Sequence, residues 1–542
     1  MRRRLLATPV RLTALVIATA MAAAACGSPD DGSGSPTSER NTSDADADAD
    51  GGAGGDTELV ANLAEALTTL DPARGSANAM ATVGYAIYDT LMKVEKLGDE
   101  PTPNIAESLE PNDDFTVWTM TLPSGVKFSD GTDFDADAVK YNMDRHIDPD
   151  VGSTAAALLS SVESVEAPDE TTVVFNLAYS FANFPTVLAF DGSGTAGYVA
   201  SPTALEEYGD DYTTHAAGVG PFALESWSPG ADVVLVPNPE YWNRENKQMQ
   251  LSRIVLKNIE DEQSLYQAVQ AGDIDLGWFA EPSILSDAIT NERVVTVMGV
   301  GSDQESIALN LTVPPFDDIR ARQAVSMAID RQEIIDLIME GMAEPAYNLF
   351  PPTDPFHNDA ANPDYDLEAA QALVAEYEAD TGQPFEFNYD CRGDIRATSV
   401  IERQLTAAGM NVTVRNVSGA DRLAAYLAGD YQAVCWTMAG FLTPDALPYR
   451  FFHSAGDLNS MGFDNADFDA YVDGARQVDD PAEQKELWSS ADEVLATEMP
   501  WVWTTSLPIG WVYSPDIESI DFDEPERLRY KIPIFENMSL NR

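Results

Sequence analysis

The chain has 542 residues, with 90 Asp and Glu against 31 Lys and Arg, and a formal net charge of −59. Acidic residues are spread along the whole body, and such a surface repels nucleic acid and anionic lipid headgroups, so neither is an expected partner. The length also exceeds what one hydrophobic core usually holds, so we expect two or three lobes.

The first 26 residues have the pattern of an export signal. Four arginines near the start precede a mostly apolar stretch from Ala14 to Ala25, which is short for a bilayer-spanning helix. The stretch ends in AAAAC at Cys26, and this ending resembles a bacterial lipobox, in which the cysteine is acylated. We therefore expect a lipoprotein signal peptide over 1–26 and a protein that is exported and lipid-anchored to the outer face of the cell membrane. The alternative is an ordinary secretory peptide with an incidental cysteine.

Residues 27–56 contain almost no apolar side chain. Such a segment cannot bury enough surface to offset its chain entropy. We expect a disordered tether between the anchor and the body.

The body has a mixed α/β pattern. Short apolar runs predict strands over 171–177, 231–238, 253–258 and 410–417. Helical periodicity predicts helices over 260–272, 318–341 and 366–382, the last with Asp366 as its N-cap and Gly382 as its C-cap signal.

A search for reactive motifs argues against an enzyme. The four histidines are far apart, and the chain has no HExxH, CxxC, GxxxxGK or GxSxG motif. The run of aspartates from Asp133 fails as a calcium loop, because Ala138 stands where the loop needs Gly and Asp144 where it needs Glu. Asp135 fits better as a helix N-cap. We expect no catalytic residue, no cofactor and no metal site.

Two cysteines remain after Cys26, namely Cys391 and Cys435. Outside the cell, two such thiols either form a disulfide or act as separate small apolar residues in the core.

Several segments in a fixed order resemble the family 5 extracellular solute-binding proteins, the peptide/nickel-type receptors of ABC importers. The first block, PTPNIAESLE to KYNMDR (101–145), contains GVKFSDGTDFDADAV and resembles the family's signature block. Further matching segments are GVGPFALESWSPGADVVLVPNPEYWN (218–243), AVQAGDIDLGW (268–278), LNLTVPPFDDIRARQAVSMAIDRQEII (309–335), YDLEAAQALVAE (365–376) and LAGDYQAVCW (427–436).

The resemblance implies an α/β fold with two lobes, the type II periplasmic-binding-protein-like fold of the large peptide-binding subclass. An extra subdomain would be inserted in the first lobe. The implied boundaries are lobe I at 57–305, its insert at about 89–214, lobe II at 306–510, and a C-terminal segment, 511–542, that returns to lobe I. The chain would cross between the lobes near Leu309-Asn310 and near Trp511.

The implied function is capture of an oligopeptide-like solute between the lobes by hinge closure, followed by delivery to a membrane permease. The implied partners are this ligand, the ABC permease subunits and their ATPase, and we expect a monomer. Within the same fold, the alternatives are an oligosaccharide, a metal chelate or an opine-like compound. A surface-anchored sensor or hydrolase is the alternative from another class.

The resemblance also suggests residues that bind the ligand. Peptide-binding members often carry Trp followed three residues later by Asp, which pairs with the amino terminus of the ligand. Here Trp436 is followed by Ala439, so Asp445 or Asp390 would have to supply the acid, or the ligand is not an ordinary short peptide. Trp436 could form an apolar wall, or it could simply pack in the core.

In the family, the end of the strand before a long lobe II helix also carries polar ligand contacts. That strand end here contains Asn388, Asp390 and Arg392, and Arg392 could pair with a ligand carboxylate or form a surface salt bridge. The family fold would bring Cys391 and Cys435 onto neighbouring strands, which favours the disulfide.

Three first-lobe residues complete the expected site. The loop after Leu70-Asp71-Pro72 normally faces the cleft in the family and contains Ser76 and Asn78. Trp278 is a second candidate for an aromatic wall. A scaffold role is the alternative for each of them.

Overall fold

The computed structural model describes residues 57–94, 100–189, 194–247, 249–352, 354–359, 362–391, 396–438, 444, 447–519 and 533–542. Cys26, the predicted signal peptide and the predicted tether lie outside the described residues, as do Arg392, Ala439 and Asp445. Within the described ranges, no helix has both the length and the apolar character needed to cross a membrane.

The strands and helices alternate along the chain. The strands are β1 Glu58–Asn62, β2 Met92–Lys93, β3 Thr102–Pro103, β4 Ser108–Pro111, β5 Val117–Thr121, β6 Val162–Asp169, β7 Thr172–Leu177, β8 Phe222–Ser226, β9 Val233–Pro237, β10 Arg253–Lys257, β11 Leu276–Phe279, β12 Val295–Leu309, β13 Glu344–Pro345, β14 Glu386–Cys391, β15 Asn411–Asn416, β16 Ala433–Met438, β17 Trp501–Tyr513, β18 Ile517–Ser519 and β19 Met538–Leu540. The helices are α1 Ala77–Tyr88, α2 Ala136–Ile147, α3 Phe184–Val187, α4 Pro202–Tyr208, α5 Glu262–Ala271, α6 Pro282–Thr290, α7 Ile319–Ala328, α8 Arg331–Ile338, α9 Leu367–Thr381, α10 Arg396–Ala407, α11 Gly419–Ala428, α12 Leu447–Phe452, α13 Ala466–Ala475 and α14 Pro481–Glu498.

The predicted helix over 318–341 is wrong as a single element. The structure divides it into α7 and α8, which are separated by Ile329 and Asp330. Asp330 accepts a hydrogen bond from the backbone N–H of Glu333 and so begins a new helix. Arg331 is buried and donates to the carbonyls of Ala346 and Trp503, which fixes the direction of α8. Tertiary contacts thus override a helical period that is continuous in the sequence.

Helix caps were easier to predict from the sequence. Asp366 accepts from the backbone N–H of Ala369 at the start of α9, and Gly382 ends the helix with a φ of 67°. Asp135 likewise caps α2 by accepting from the backbone N–H of Ala138. Both aspartates satisfy helix N–H groups that have no partner within the helix itself.

One large sheet passes through the body. Its strand order is β15-β14-β16-β12-β17-β11-β1-β10-β9-β8, and β13 pairs with β17. The two long antiparallel strands β12 and β17 connect its halves, because β16 pairs with the 304–309 end of β12 and β11 with the 510–513 end of β17. The register between β12 and β17 is interrupted between Val300 and Gln304 and again between Glu305 and Ser306.

Buried apolar residues form separate clusters along the chain. One cluster unites β1 and α1 with β8 to β11 and the end of β17. A second cluster contains residues from Leu91 to Val199, together with Val219, around the four-stranded sheet β4-β5-β7-β6. Two further clusters lie between Ile307 and Trp503, one on either face of the β14 to β16 region. The lobe boundaries proposed from the sequence stay predictions.

Candidate functional site

A small pocket lies where β12, β14 and β16 meet α10 and α11. Its walls combine one acidic and one basic side chain with aromatic rings and hydroxyl groups. The lining residues are Glu305, Ser306, Tyr389, Ala397, Thr398, Ile401, Arg422, Cys435, Trp436, Thr437 and Thr504.

Glu305 supplies the negative charge of this lining. It stands opposite Thr437 on β16 and Thr505 on β17, between two strands of the sheet. Burial raises the pKa of its carboxyl to about 7, and Thr505 acts in the opposite direction. Apart from Arg392 and Arg396, whose side chains the structure does not describe, no Lys, Arg or His nitrogen of the described residues lies within 4.0 Å of the carboxylate.

Arg422 supplies the positive charge. Helix α11 carries it, and Ser418 caps that helix by accepting from the backbone N–H of Asp421. Its Nη1 donates to the carbonyl of Cys435 at 3.0 Å, and the guanidinium carbon lies 5.5 Å from the ring centroid of Trp436. Arg422 is therefore held against the pocket wall.

Tyr389 lies near both charged side chains. Burial is the largest cause that raises the pKa of its phenol, and Glu305 raises it further, whereas Arg422 lowers it. Both charges therefore act on the same buried ring. Glu305 and Arg422 also line the same pocket, so opposite charges stand close together in its wall.

Cys391 and Cys435 are joined by a disulfide in the structure, with their Cα atoms 5.2 Å apart. The bond links β14 to β16 beside the pocket, and Cys435 is part of the lining. The hydroxyl of Thr398 donates to the Cys391 sulfur at 3.3 Å. The covalent link therefore fixes two of the strands that carry the pocket.

Trp436 both packs in a core and lines the pocket. Its ring centroid lies 4.6 Å from Tyr426, 5.5 Å from Phe451 and 6.3 Å from Trp501, so one part of the ring belongs to a buried aromatic group. The ring is only half-buried, and the rest of it faces the pocket. The two interpretations of this residue are therefore compatible.

The structure does not bring Asn388 and Asp390 to this pocket. Side chains alternate along a strand, and on β14 it is Tyr389 that faces the lining. Asp390 is buried and forms a bidentate ion pair with Arg415 of β15. Asn388 donates to the side chain of Gln432 at 3.2 Å. A ligand-binding role for either residue has no support from this geometry.

The first-lobe candidates also lie apart from the described lining. Ser76 is the N-cap of α1 and accepts from the backbone N–H of Ala79, while Asn78 is exposed in the first turn of that helix. Trp278 stands opposite Trp511 in the sheet and packs against the first cluster. Arg392 and Asp445 lie outside the described residues, so the structure gives no position for them.

The sequence motifs give no indication that Glu305 and Arg422 line a pocket. The available signal was modest: Glu305 is an acid directly before the buried run SIAL at the end of β12, and Arg422 is a basic residue in a helix of an acidic chain. In the described part of the chain, no group of three or more His, Cys, Asp or Glu side chains could hold a metal ion.

Comparison with known proteins identifies the family. The family model "Bacterial extracellular solute-binding proteins, family 5 Middle" matches residues 100–459. The glutathione-binding protein GsiB of Salmonella paratyphi A is 27% identical over 466 residues, which covers 82% of this chain and 88% of that protein.

Solved structures show the same fold. The periplasmic binding protein DppA of Helicobacter pylori, in complex with the peptide STSA, superposes with a TM-score of 0.77 at 21% identity, covering 90% of this chain and 98% of that one. NikA of Brucella suis, in complex with Fe(III)-EDTA, gives a TM-score of 0.77 at 22% identity, covering 90% of this chain and all of the other. The predicted two-lobed α/β fold is confirmed. The family model spans more than half of the sequence, and the chain therefore belongs to the bacterial extracellular solute-binding proteins of family 5.

Proposed function

We propose that this protein is the receptor of an ABC importer and that it captures an oligopeptide-like, zwitterionic solute. Family 5 binding proteins are extracytoplasmic, and a relative over most of the chain is named for binding glutathione, a small peptide. The observation that carries the proposal is the lining itself. Glu305, Arg422 and Trp436 offer an acidic, a cationic and an aromatic side chain in one pocket, and the ammonium, carboxylate and apolar groups of a peptide complement them.

The proposed mechanism is closure of the two lobes around the ligand. Residues beside α3 already contact the region of α13 and α14: the backbone N–H of Ala182 donates to the carbonyl of Arg476 at 2.7 Å. Nearby, Gln484 donates to the side chain of Asn183 at 2.9 Å. We take these bonds as contacts of the closed form, which a ligand bound between the lobes would favour.

The protein would work at the membrane surface. Acylation of Cys26 would anchor it there, and the acidic segment 27–56 would let the body reach the permease. Replacing the cysteine tests the anchor: Cys26→Ala should release the protein into the medium, and unchanged membrane retention would contradict the lipoprotein assignment.

The ligand class can be tested by thermal unfolding of the purified body with pools of short peptides, oligosaccharides and metal chelates. A ligand at a hundred times its Kd adds about 2.7 kcal/mol of stability, which gives a measurable rise in Tm. We expect a rise with the peptide pool and a smaller one in Trp436→Ala. Tyr365→Ala removes an exposed aromatic ring outside the pocket lining and serves as the control.

A rise only with sugars or chelates would contradict the peptide assignment and leave the receptor assignment intact. Mass spectrometry of the ligand that co-purifies from native cells would identify the solute directly.

A further inference from the structure

We propose that Glu305 is the residue that recognises a ligand ammonium group, so that the pocket selects solutes carrying a primary amine. The inference rests on the proposed function and deepens it, because it assigns one end of the ligand to one side chain. Neither the family match nor the sequence motifs point to this position.

The carboxylate of Glu305 is accessible from the pocket. Glu305 is only half-buried and its side chain lines the pocket, so a ligand can reach it. Thr437 stands directly opposite on β16 and lines the same wall. Side chains directly opposite each other on antiparallel strands share one face of the sheet. A carboxylate beside a hydroxyl group provides several acceptors, which suits the three N–H donors of an ammonium.

The negative charge of Glu305 also calls for a partner. A carboxylate removed from water is unfavourable unless a cation or hydrogen-bond donors stabilise it. Among the side chains that the structure describes, which do not include those of Arg392 and Arg396, no cationic nitrogen lies within 4.0 Å of Glu305. Two acids on neighbouring elements do have cationic partners: Asp390 pairs with Arg415, and Asp457 with Arg450. Glu305 is thus an acid of the pocket wall whose partner would be supplied by the ligand.

The rest of the lining includes a positive charge. Arg422 brings a positive charge to the same pocket and acts, like Glu305, on the ring of Tyr389. A second cation on the ligand would therefore be disfavoured, and an anionic group would be favoured at that end. The chemical class that fits is a zwitterion with a free amine, such as an unblocked short peptide.

The test compares two probes, trialanine and N-acetyl-trialanine, on the full body at pH 7.5 by isothermal titration calorimetry. We expect the wild type to prefer trialanine by about tenfold or more, because a charged hydrogen bond is lost with the acetyl group. Glu305→Gln keeps the shape of the side chain and should lose most of this preference, with little change for the acetylated probe. Glu386→Gln, an exposed glutamate of β14, is the matched control and should behave as the wild type.

The outcomes distinguish the assignment of Glu305 from the assignment of a peptide as ligand. If both probes bind and Glu305→Gln retains the wild-type preference, the assignment of Glu305 is overturned and the receptor for peptides stands. If neither probe binds the wild type, the peptide proposal fails and the inference fails with it. Should Glu305→Gln fail to fold, Glu305→Asp keeps the charge but withdraws the carboxylate by one methylene. A reduced preference in that variant supports the assignment, and an unchanged preference overturns it.

Discussion

The contact between Asn183 and Gln484 provides the sharpest test of lobe closure. Gln484 donates through Nε2 to Oδ1 of Asn183 at 2.9 Å, and Asn183 donates through Nδ2 to Oε1 of Gln484 at 3.5 Å. The second bond is at the limit of hydrogen-bonding distance. We therefore treat the contact between the two amides as a single hydrogen bond. One neutral hydrogen bond contributes about 1 kcal/mol net, which corresponds to roughly a fivefold change in an equilibrium constant.

Single substitutions would not isolate this bond. Gln484 also donates to the carbonyl of Val478 at 2.6 Å, within its own part of the chain, so Gln484→Ala has a second effect. A double-mutant cycle with Asn183→Ala and Gln484→Ala cancels effects that each residue has alone. If the bond belongs to the closed form, as we propose, the coupling energy in the apparent free energy of ligand binding should be about 1 kcal/mol.

The assay is calorimetric titration of the four proteins with the tightest-binding peptide from the pool. Small-angle X-ray scattering of the ligand-free proteins provides a second measurement, since loss of the bond should lower the closed fraction and so raise the average radius of gyration. Asn176→Ala is the control: its amide donates to Ser164 at 3.0 Å within the small four-stranded sheet, so affinity should not change. Additive effects of the two substitutions, with a coupling below about 0.3 kcal/mol, would refute this contact as part of the closed form.

Three further predictions concern pH and covalent structure. Burial raises the pKa of Glu305 to about 7, so the carboxyl is mostly protonated at pH 5.5 and mostly ionised at pH 7.5. In calorimetric titration, trialanine should therefore bind roughly twentyfold more weakly at pH 5.5, and Glu305→Gln should remove this pH dependence. Burial also raises the pKa of Asp492 to about 7, so the folded state holds a proton that the unfolded state releases, and stability should fall as pH rises from 4 to 7. In urea unfolding, Asp492→Asn should lack this fall, which amounts to roughly 3–4 kcal/mol, and equal slopes for both proteins would contradict the assignment. The disulfide between Cys391 and Cys435 closes a loop of 44 residues, and replacing both cysteines by Ser should lower the free energy of unfolding by up to about 4 kcal/mol.

The fold was predictable because its signals are local and occur in order along the chain. Asp135 and Asp366 cap the helices that the sequence assigned to them, since an N-cap needs only a few consecutive residues. The break at Asp330 was not predictable, because it depends on carbonyls of Ala346 and Trp503, which are distant in sequence. Element type therefore follows from local sequence, whereas element length depends on distant partners.

The site was less predictable because a strand has two faces. The segment FNYDC contains polar side chains on both faces of its strand, and the sequence does not tell which face lines the pocket. In the structure, Tyr389 lines the described pocket, whereas Asn388 and Asp390 do not. Glu305 and Arg422 come from elements far apart in the chain, and only the pairing of β12 with β16 brings them to one pocket. Periodicity in a single sequence carries no information on that pairing.

The described lining also bears on the size of the ligand. Every residue of it lies from Glu305 to Thr504, so by the predicted boundaries a solute confined to this pocket touches lobe II and the strands that lead into it. Such a solute would bind the open and closed forms almost equally and would not favour closure, because only contacts that differ between two states shift their equilibrium. A solute that closes the lobes must extend from Glu305 toward the first lobe. Charge would then determine which end of the solute enters the pocket, and length would determine whether the lobes close, which is the combination that an extended peptide provides.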